Sequence, residues 1–265
     1  SEGSRYTYMI IVTSRQASAD IVVGMNAGAD DFVSKPFVKE ELAVRIRAGE
    51  RILGFESREL VIFSMASLAE SRDPDMGDHL ERIRFHSKTL AETIGRSSNP
   101  PQEMNRLFID NIFLTSPLHD IGKIGIPDHV LLKQGRLHHD EFELMKKHSN
   151  IGFETLAHAL EKHPGAEYLS MSAEIALYHH EKFDGTGYPG GFSGTDIPLS
   201  ARIVALADVY DALVSKRVYK EADTHQMAKA IIIDGRGTHF DPMVVDAFLS
   251  CEEEFENIVD SFAGY

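Results

Sequence analysis

The sequence predicts a mainly α-helical protein, in which a helical bundle follows a short α/β segment and a long helix. Apolar residues recur at helical spacing through most of residues 79–250, whereas strand-like runs are confined to the first 34 residues. All 13 histidines lie between His79 and His239. The net charge of −14 falls entirely within residues 54–265, because residues 1–53 hold seven basic and seven acidic side chains. The chain therefore divides into two modules of different chemistry.

The composition excludes several classes of protein. With 265 residues and 43% hydrophobic content, the chain can bury a sizeable core. Its one cysteine, Cys251, cannot form an internal disulfide, and no apolar run approaches the ~18 residues of a membrane span. We therefore expect a cytoplasmic protein without a membrane partner. The acidic charge argues against binding to a nucleic-acid polymer, which requires clustered basic side chains.

The first module reads as half of a parallel α/β sheet. Residues 8–13 form a short β-branched run typical of a buried strand. Residues 17–27 have helical spacing, and Gly28 follows as a C-terminal glycine. Residues 31–34 predict a second strand, which Lys35 and Pro36 end in a turn. This order of strand, helix and strand predicts a parallel pair.

A long helix is expected from residue 40 to about residue 72. Ile46, Leu53 and Leu60 lie seven apart, with Leu42 and Phe63 on the same side. Two interpretations remain open. The helix either packs only on its own domain, or acts as a signalling linker that also pairs two chains in a homodimer.

The rest of the chain is predicted to be almost wholly helical. Asn99, Pro100 and Pro101 mark one loop, and the glycine-rich residues 184–197 mark another. The run of Glu252, Glu253 and Glu254 is interpreted as a solvated end. The predicted helices cover residues 79–95, 103–118, 140–162, 170–181, 199–214, 224–234 and 242–250.

His119 and Asp120 are the first candidate metal ligands. They follow an apolar helix, and the two oxygens of a carboxylate can bridge two metals. Alone, such a dipeptide is more typical of a surface or capping pair. Lys123 lies one turn later, where its charge could neutralise a phosphate oxygen.

Other candidates come from separate helices. His179 and His180 are adjacent, so their side chains diverge by about 100° on a helix and suit two neighbouring metals or a helix end. Asp208 lies in an apolar helix, where a buried carboxylate must be paired, hydrogen-bonded or metal-bound. His148 and His79 complete the set. Each residue alone has a structural explanation, but together they suit a helical bundle with a binuclear metal core.

The spacing Gly185-x-Gly187-x-x-Gly190 matches a dinucleotide-binding fingerprint, but its context does not. That fingerprint needs a strand before it and a helix after it, whereas a histidine-rich helix precedes it here and Pro189 interrupts it. The glycines are better explained by a tight loop that presents Tyr188, whose ring could stack on a base.

These motifs resemble the HD-GYP family, a branch of the all-helical HD phosphohydrolases. The resemblance covers about residues 60–250 in order. It rests on His119-Asp120-Ile-Gly-Lys123, Lys147-His148-x-x-x-Gly152, His179-His180-Glu-x-x-Asp-Gly-x-Gly187-Tyr188-Pro189, Ala207-Asp208-x-x-Asp211-Ala, Arg217-x-Tyr219-Lys220 and Gly237-Thr-His-Phe-Asp-Pro242.

The resemblance implies a metal-centred helical bundle that hydrolyses cyclic di-GMP to linear pGpG, with onward hydrolysis to GMP left open. It implies two divalent metal ions, iron or manganese, with Asp120 and Lys123 as catalytic residues. Some members hold a third metal with a glutamate four residues before the first histidine, where this chain has the shorter Asp75. The implied metal ligands are His79, His119, Asp120, His148, His179, His180 and Asp208, and the implied substrate contacts are Lys123, Tyr188, Asp211, Arg217 and Lys220.

The first module is similar to the C-terminal half of a response-regulator receiver domain. Thr13 matches its switch hydroxyl, and Lys35 matches its conserved lysine position. The phosphoacceptor half is absent from the sequence. A complete receiver domain would make a sensor kinase a partner. The expected domains are a partial receiver in 1–53, a linker helix in 54–72 and a catalytic domain in 73–265.

Two other functions remain open on the sequence alone. One is a cyclic-dinucleotide-binding signalling scaffold with little turnover. The other is an enzyme that hydrolyses a mixed cyclic GMP-AMP, because the base-contacting residues beyond Tyr188 are not identifiable from sequence.

Overall fold

A computed structural model describes residues 7–14, 18–71, 78–215 and 222–262. The chain divides into two compact units, Ser1–Val61 and Ile62–Tyr265. Among the described residues, no helix is both long enough and apolar enough to cross a membrane.

The first unit contains a two-stranded parallel sheet, as the sequence predicted. β1 (Ile10–Thr13) pairs with β2 (Asp31–Ser34), with Ile10 opposite Asp31 and Thr13 opposite Ser34. The connecting helix α1 (Ser18–Asn26) ends before Gly28, which has a φ of 102°. This left-handed conformation costs glycine little, and explains why the helix stops there.

A 32-residue helix, α2 (Lys39–Glu70), continues from the first unit into the second. Of the predicted seam, Ile46 and Leu60 are 45% and 69% exposed, and the side chain of Leu53 lies outside the described part of the chain. Within the second unit, Ile62, Ala66 and Ala69 are buried. They lie at spacings of four and three residues, so one face of the end of α2 packs into the core of that unit.

The second unit is a helical bundle, and its described helices agree with most of the predicted ranges. The predicted helix 103–118 ends as a 3₁₀ turn at Ser116–Leu118, and the predicted helix 140–162 is divided at Lys146. The helices are α3 (His79–Gly95), α4 (Arg106–Thr115), α5 (Asp128–Leu131), α6 (His139–Met145), α7 (Lys147–Lys162), α8 (Glu167–Tyr178), α9 (Leu199–Val214), α10 (His225–Asp234), α11 (Pro242–Ser250) and α12 (Glu252–Phe262).

The core of the bundle surrounds α9. This helix is apolar on nearly every side, and Ile203, Leu206 and Tyr210 are fully buried. It contacts α3, α8, α10 and α11. Since a helix that is apolar all round must be buried, the carboxylates on α9 are carried into the interior of the bundle.

Residues 252–254 are solvated as predicted, since Glu253 and Glu254 are exposed, but the prediction that the helical part of the chain ends there was wrong. Glu252, Glu253 and Glu254 form the first turn of α12, where their charge stabilises the helix N-terminus. Phe255 follows them and is fully buried against Tyr210 and Phe248. The last helix therefore completes the core.

Candidate metal centre

The predicted metal ligands lie together in the second unit, although they come from five separate stretches of chain. His79 begins α3, and His148 is the second residue of α7. His119 and Asp120 follow the 3₁₀ turn that ends α4, and His179 and His180 follow α8. Asp208 comes from the middle of α9. Four of the five stretches are therefore helix ends.

The first group of ligands gathers around one oxygen of Asp120. Its Oδ1 lies 3.2 Å from His148 Nε2 and 3.7 Å from His179 Nε2. The two Nε2 atoms are 3.5 Å apart. Together with His180, each residue offers a ligand atom within 4.8 Å of the others. Carboxylate and imidazole donors at these separations can share one divalent cation.

A second group consists of Glu70, His79 and His119, all buried, with ligand atoms within 4.8 Å of one another. The sequence analysis missed Glu70, which ends α2. A signal was present, because Glu70 is four residues after the buried Ala66 and eight after Ile62. An acidic residue on the buried face of an amphipathic helix needs a partner.

Asp120 connects the two groups. Its Oδ1 faces His148 and His179, and its Oδ2 lies 3.3 Å from His119 Nε2. Asp208 Oδ1 lies 3.8 Å from His79 Nε2 and 4.0 Å from His119 Nε2, beside the second group. One carboxylate that offers an oxygen to each of two adjacent groups is the arrangement of a binuclear site.

Three of the predicted imidazole ligands are held in the same way. The Nδ1–H groups of His119, His148 and His179 donate to the carbonyl oxygens of Ser116, Met145 and Ile175, at 2.9, 2.7 and 2.9 Å. Because a carbonyl can only accept, this bond places the ring proton on Nδ1. Each Nε2 then faces the centre, where its lone pair can bind a metal once that nitrogen carries no proton.

Unsatisfied buried oxygens show that a cation fits this centre. Both carboxylate oxygens of Glu70 and Oδ1 of Asp120 make no hydrogen bond within the described part of the chain. Each such atom costs roughly 1–3 kcal/mol, and more when it is charged. A divalent cation would satisfy these oxygens, and the mixture of imidazole and carboxylate donors suits iron, manganese or zinc.

The electrostatics of the centre keep Asp120 ionised. Burial opposes its charge, but Lys123, whose Nζ lies 2.7 Å from Oδ2, acts together with His119 and His148 to outweigh burial, and the three hold the pKa of Asp120 well below its usual range. Burial lowers the pKa of His179 to about 3, which keeps its ring neutral. Burial also raises the pKa of Glu70 to about 7. A bound cation would favour the ionised form of Glu70 and thereby link metal binding to proton release.

Gly122 determines how closely Asp120 can approach His148. A Cβ at Gly122 would lie 1.9 Å from the carbonyl oxygen of His148 and 2.5 Å from the backbone nitrogen of Gly152. The turn at Ile121–Gly125 therefore lies directly against the backbone of α7. Only glycine permits this contact, which explains why a glycine lies two residues after Asp120.

The family of this chain is shown by its similarity to known proteins. Residues 64–244 match the family model of the HD domain. This chain belongs to the HD domain family. It is 43% identical over 280 residues to a probable cyclic di-GMP phosphodiesterase of Vibrio cholerae serotype O1, and 39% identical over 262 residues to the cyclic di-GMP phosphodiesterase response regulator RpfG of Xanthomonas campestris pv. campestris.

These two alignments cover 96% and 90% of the chain. The chain spans only 63% and 66% of the lengths of the two relatives. Among solved structures, Bd1817, an HDG"Y"P protein from Bdellovibrio bacteriovorus, matches with a TM-score of 0.52 at 19% identity, over 75% of this chain and 64% of that one. The structural match supports the fold of the HD domain and no more.

The glycine-rich loop of the HD domain is fixed beside the candidate metal centre. Glu181 is buried, and its Oε1 accepts hydrogen bonds from the backbone N–H groups of Gly190 and Gly191 at 2.6 and 3.0 Å. A Cβ at Gly187 would lie within 2.6 Å of backbone atoms of residues 180–182. The Tyr188 ring lies 4.7 Å from the His180 ring, tilted by 31°. The loop thus holds Tyr188 against a predicted ligand.

The other predicted substrate contacts have different outcomes. Lys123 is at the centre, paired with Asp120. Asp211 is fully buried, and both of its oxygens are occupied by side chains of the bundle, so its surroundings do not support the predicted contact with substrate. Asp75, Arg217 and Lys220 lie outside the described residues.

Proposed function

We propose that this HD domain hydrolyses cyclic di-GMP to linear pGpG with two bound divalent metal ions. The observation that carries the proposal is the position of Asp120, which offers one oxygen to each of two adjacent groups of buried ligands. The names of the two relatives support cyclic di-GMP as the substrate.

The first ion would be held by Asp120, His148, His179 and His180, and the second by Glu70, His79, His119 and the other oxygen of Asp120, with Asp208 beside it. Iron or manganese suits these donors. Asp75, the predicted ligand of a third ion, lies outside the described residues. When bound, the ions would lower the pKa of a water molecule and offset the charge of the phosphate.

The side chains around the centre have separate tasks in this reaction. Lys123 is 17% exposed and fixed by Asp120, so it presents a positive charge at the edge of the site where a phosphate oxygen could lie. Tyr188 borders His180, and its ring is flanked by Phe142 at 6.2 Å. These two aromatic rings provide a surface for a nucleobase next to the ligands.

The decisive experiment replaces the shared carboxylate. Asp120→Ala should abolish metal-dependent release of pGpG while circular dichroism shows a folded protein, because neither group keeps its common ligand. Asp246→Ala is the matched control, since Asp246 is an exposed carboxylate paired with Arg236 at 2.8 Å. An Asp120→Ala protein that remains active with Mn²⁺ or Fe²⁺ would refute the proposal.

The same assay decides between the substrates and between enzyme and scaffold. Cyclic di-GMP and mixed cyclic GMP-AMP are supplied in parallel to the metal-loaded protein, and we expect faster turnover of cyclic di-GMP. A higher kcat/KM for the mixed dinucleotide would show that the mixed dinucleotide is the preferred substrate. Tight binding of cyclic di-GMP without product would show that the protein is a signalling scaffold and not an enzyme.

We further propose that the first module is the C-terminal part of a receiver domain, so that the HD domain is the output domain of a response regulator in the cytoplasm. The parallel pair of β1 and β2 supports this proposal, because it brings Lys35 next to Thr13, with a backbone hydrogen bond of 2.7 Å. A sensor kinase is then the expected partner.

The proposed domains are residues 1–53, 54–72 and 73–265. The boundary between the two compact units, at Val61, falls inside the linker helix 54–72. A homodimer through this helix remains a proposal. Exposure of the apolar residues Val61, Met65 and Leu68, which share one face of α2, supports it.

A further inference from the structure

His79 is held differently from the other imidazoles of the metal centre. The Nδ1–H groups of His119, His148 and His179 donate to carbonyl oxygens three or four residues earlier in the chain. His79 is the first residue of α3, so no preceding turn of that helix supplies a carbonyl. Its Nδ1 instead lies 2.6 Å from Oδ2 of Asp211, a residue 132 positions away on α9.

Asp211 is built into the bundle by contacts on both oxygens. Arg82 Nε donates to Oδ1 at 2.5 Å, and Arg82 Nη2 donates to Oδ2 at 3.0 Å. The Ser215 hydroxyl approaches Oδ2 at 3.3 Å and also accepts a hydrogen bond from Arg82 at 2.8 Å. With none of its surface exposed, Asp211 cannot rotate without breaking these bonds.

The placement of Asp211 gives it access to His79 and not to a substrate. The carboxylate lies behind the His79 ring, whose opposite nitrogen, Nε2, faces Asp208 at 3.8 Å. Asp208 and Asp211 are three residues apart on α9, so one turn of a single helix approaches both nitrogens of the same ring. The position of α9 in the core therefore fixes the direction in which Nε2 points.

We propose that Asp211 is a positioning residue that keeps the proton of His79 on Nδ1 and directs Nε2 toward the metal centre, with Arg82 holding the carboxylate in place. The inference rests on the ligand set of the proposed function. Carboxylates that accept a hydrogen bond from a metal-ligating histidine fix its tautomer and increase its basicity, and their loss typically costs 10–100-fold in metal affinity.

The test uses Asp211→Asn in the full chain. Asparagine has one oxygen for two positions that both face Arg82, so its amide N–H₂ must meet a donor at one of them. With the N–H₂ group at the Oδ2 position, the amide oxygen still accepts from Arg82 Nε, and Arg82 Nη2 keeps Ser215 as an acceptor at 2.8 Å. The N–H₂ group can then donate to His79 only if Nδ1 becomes an acceptor and the proton moves to Nε2. Long-range ¹H–¹⁵N spectra of the metal-free protein report this tautomer, with the His79 signals assigned by their loss in His79→Gln.

Calorimetric titration with Mn²⁺ gives the second readout. We expect the Nε2–H tautomer and a 10–100-fold weaker Mn²⁺ affinity in Asp211→Asn. Asp241→Asn is the matched control, because Asp241 is also a buried carboxylate paired with an arginine, Arg202, and caps α11. It should lower the melting temperature without changing the His79 tautomer or the Mn²⁺ affinity.

An unchanged tautomer and an unchanged Mn²⁺ affinity in folded Asp211→Asn would overturn the inference. If that variant does not fold, Arg82→Lys replaces it, because a lysine cannot hold both oxygens of Asp211. We then expect at least threefold weaker Mn²⁺ binding, and wild-type affinity would overturn the inference. Failure of the proposed function is a separate result: a wild-type protein that binds Mn²⁺ but hydrolyses no cyclic dinucleotide leaves the tautomer experiment intact.

Discussion

Replacing Gly122 with alanine should damage the metal centre without removing a ligand. The added Cβ would lie 1.9 Å from the carbonyl oxygen of His148, whereas real Cβ contacts are essentially never shorter than 3.0 Å. The turn and α7 must therefore separate by about 1.1 Å. Because Asp120 and His148 lie on opposite sides of this contact, their 3.2 Å approach should lengthen by a similar amount. A displacement of about 1 Å near reacting groups can cost roughly 100-fold in rate.

The measurement compares Gly122→Ala with Gly165→Ala, a position where an added Cβ meets nothing within 4 Å. We expect kcat/KM for cyclic di-GMP to fall about 100-fold in the first variant, with weaker Mn²⁺ binding by calorimetry, and to stay within twofold in the second. Wild-type Mn²⁺ affinity together with less than a threefold change in turnover in Gly122→Ala would refute the reasoning, because it would mean that α7 absorbs the displacement without moving His148.

Two further predictions concern stability and the loop. Burial lowers the pKa of His86 to about 3, so below pH 6.5 the unfolded state binds a proton that the folded state does not, and stability is lost as pH falls from about 6.5 toward 3. Between pH 7.5 and 5, the free energy of unfolding measured in urea should therefore fall by about 2 kcal/mol less in His86→Leu than in the wild type. Equal decreases in the two proteins would contradict this account. Glu181→Ala leaves the N–H groups of Gly190 and Gly191 without their acceptor. It should raise KM for cyclic di-GMP roughly tenfold, with Glu181→Gln restoring most of the loss, and an unchanged KM in Glu181→Ala would show that the loop is held by other contacts.

Most of the residues that meet at the candidate metal centre could be selected from the sequence, because they lie in local patterns. His119 with Asp120, and His179 with His180, are adjacent pairs that follow apolar helices. Asp208 was visible as a carboxylate in an otherwise apolar helix. In each of these patterns a polar group lies next to apolar residues that become buried. Burying a polar group costs free energy, and this cost can be recognised without knowing the tertiary structure.

Glu70 was missed because its signal depends on which face of α2 is buried. Apolar residues occupy both faces of the second half of this helix: Ile62 and Ala66 are buried, whereas Met65 and Leu68 are exposed. A sequence that is apolar on two sides does not show which side meets the bundle. The fold of α12 was missed for a related reason, since Phe255 is a single buried residue after three glutamates.

The role of Asp211 could not be predicted from sequence, because it depends on where helices end. Imidazoles that come just after a helical turn can donate Nδ1–H to carbonyls of the last turn, which have no partner further along the helix. His119, His148 and His179 all use this arrangement, with carbonyls from Ser116, Met145 and Ile175. The start of a helix offers backbone N–H groups instead, which cannot accept a hydrogen bond. A histidine that begins a helix must therefore obtain its acceptor from another element, and in this bundle α9, the helix that also carries Asp208, provides it.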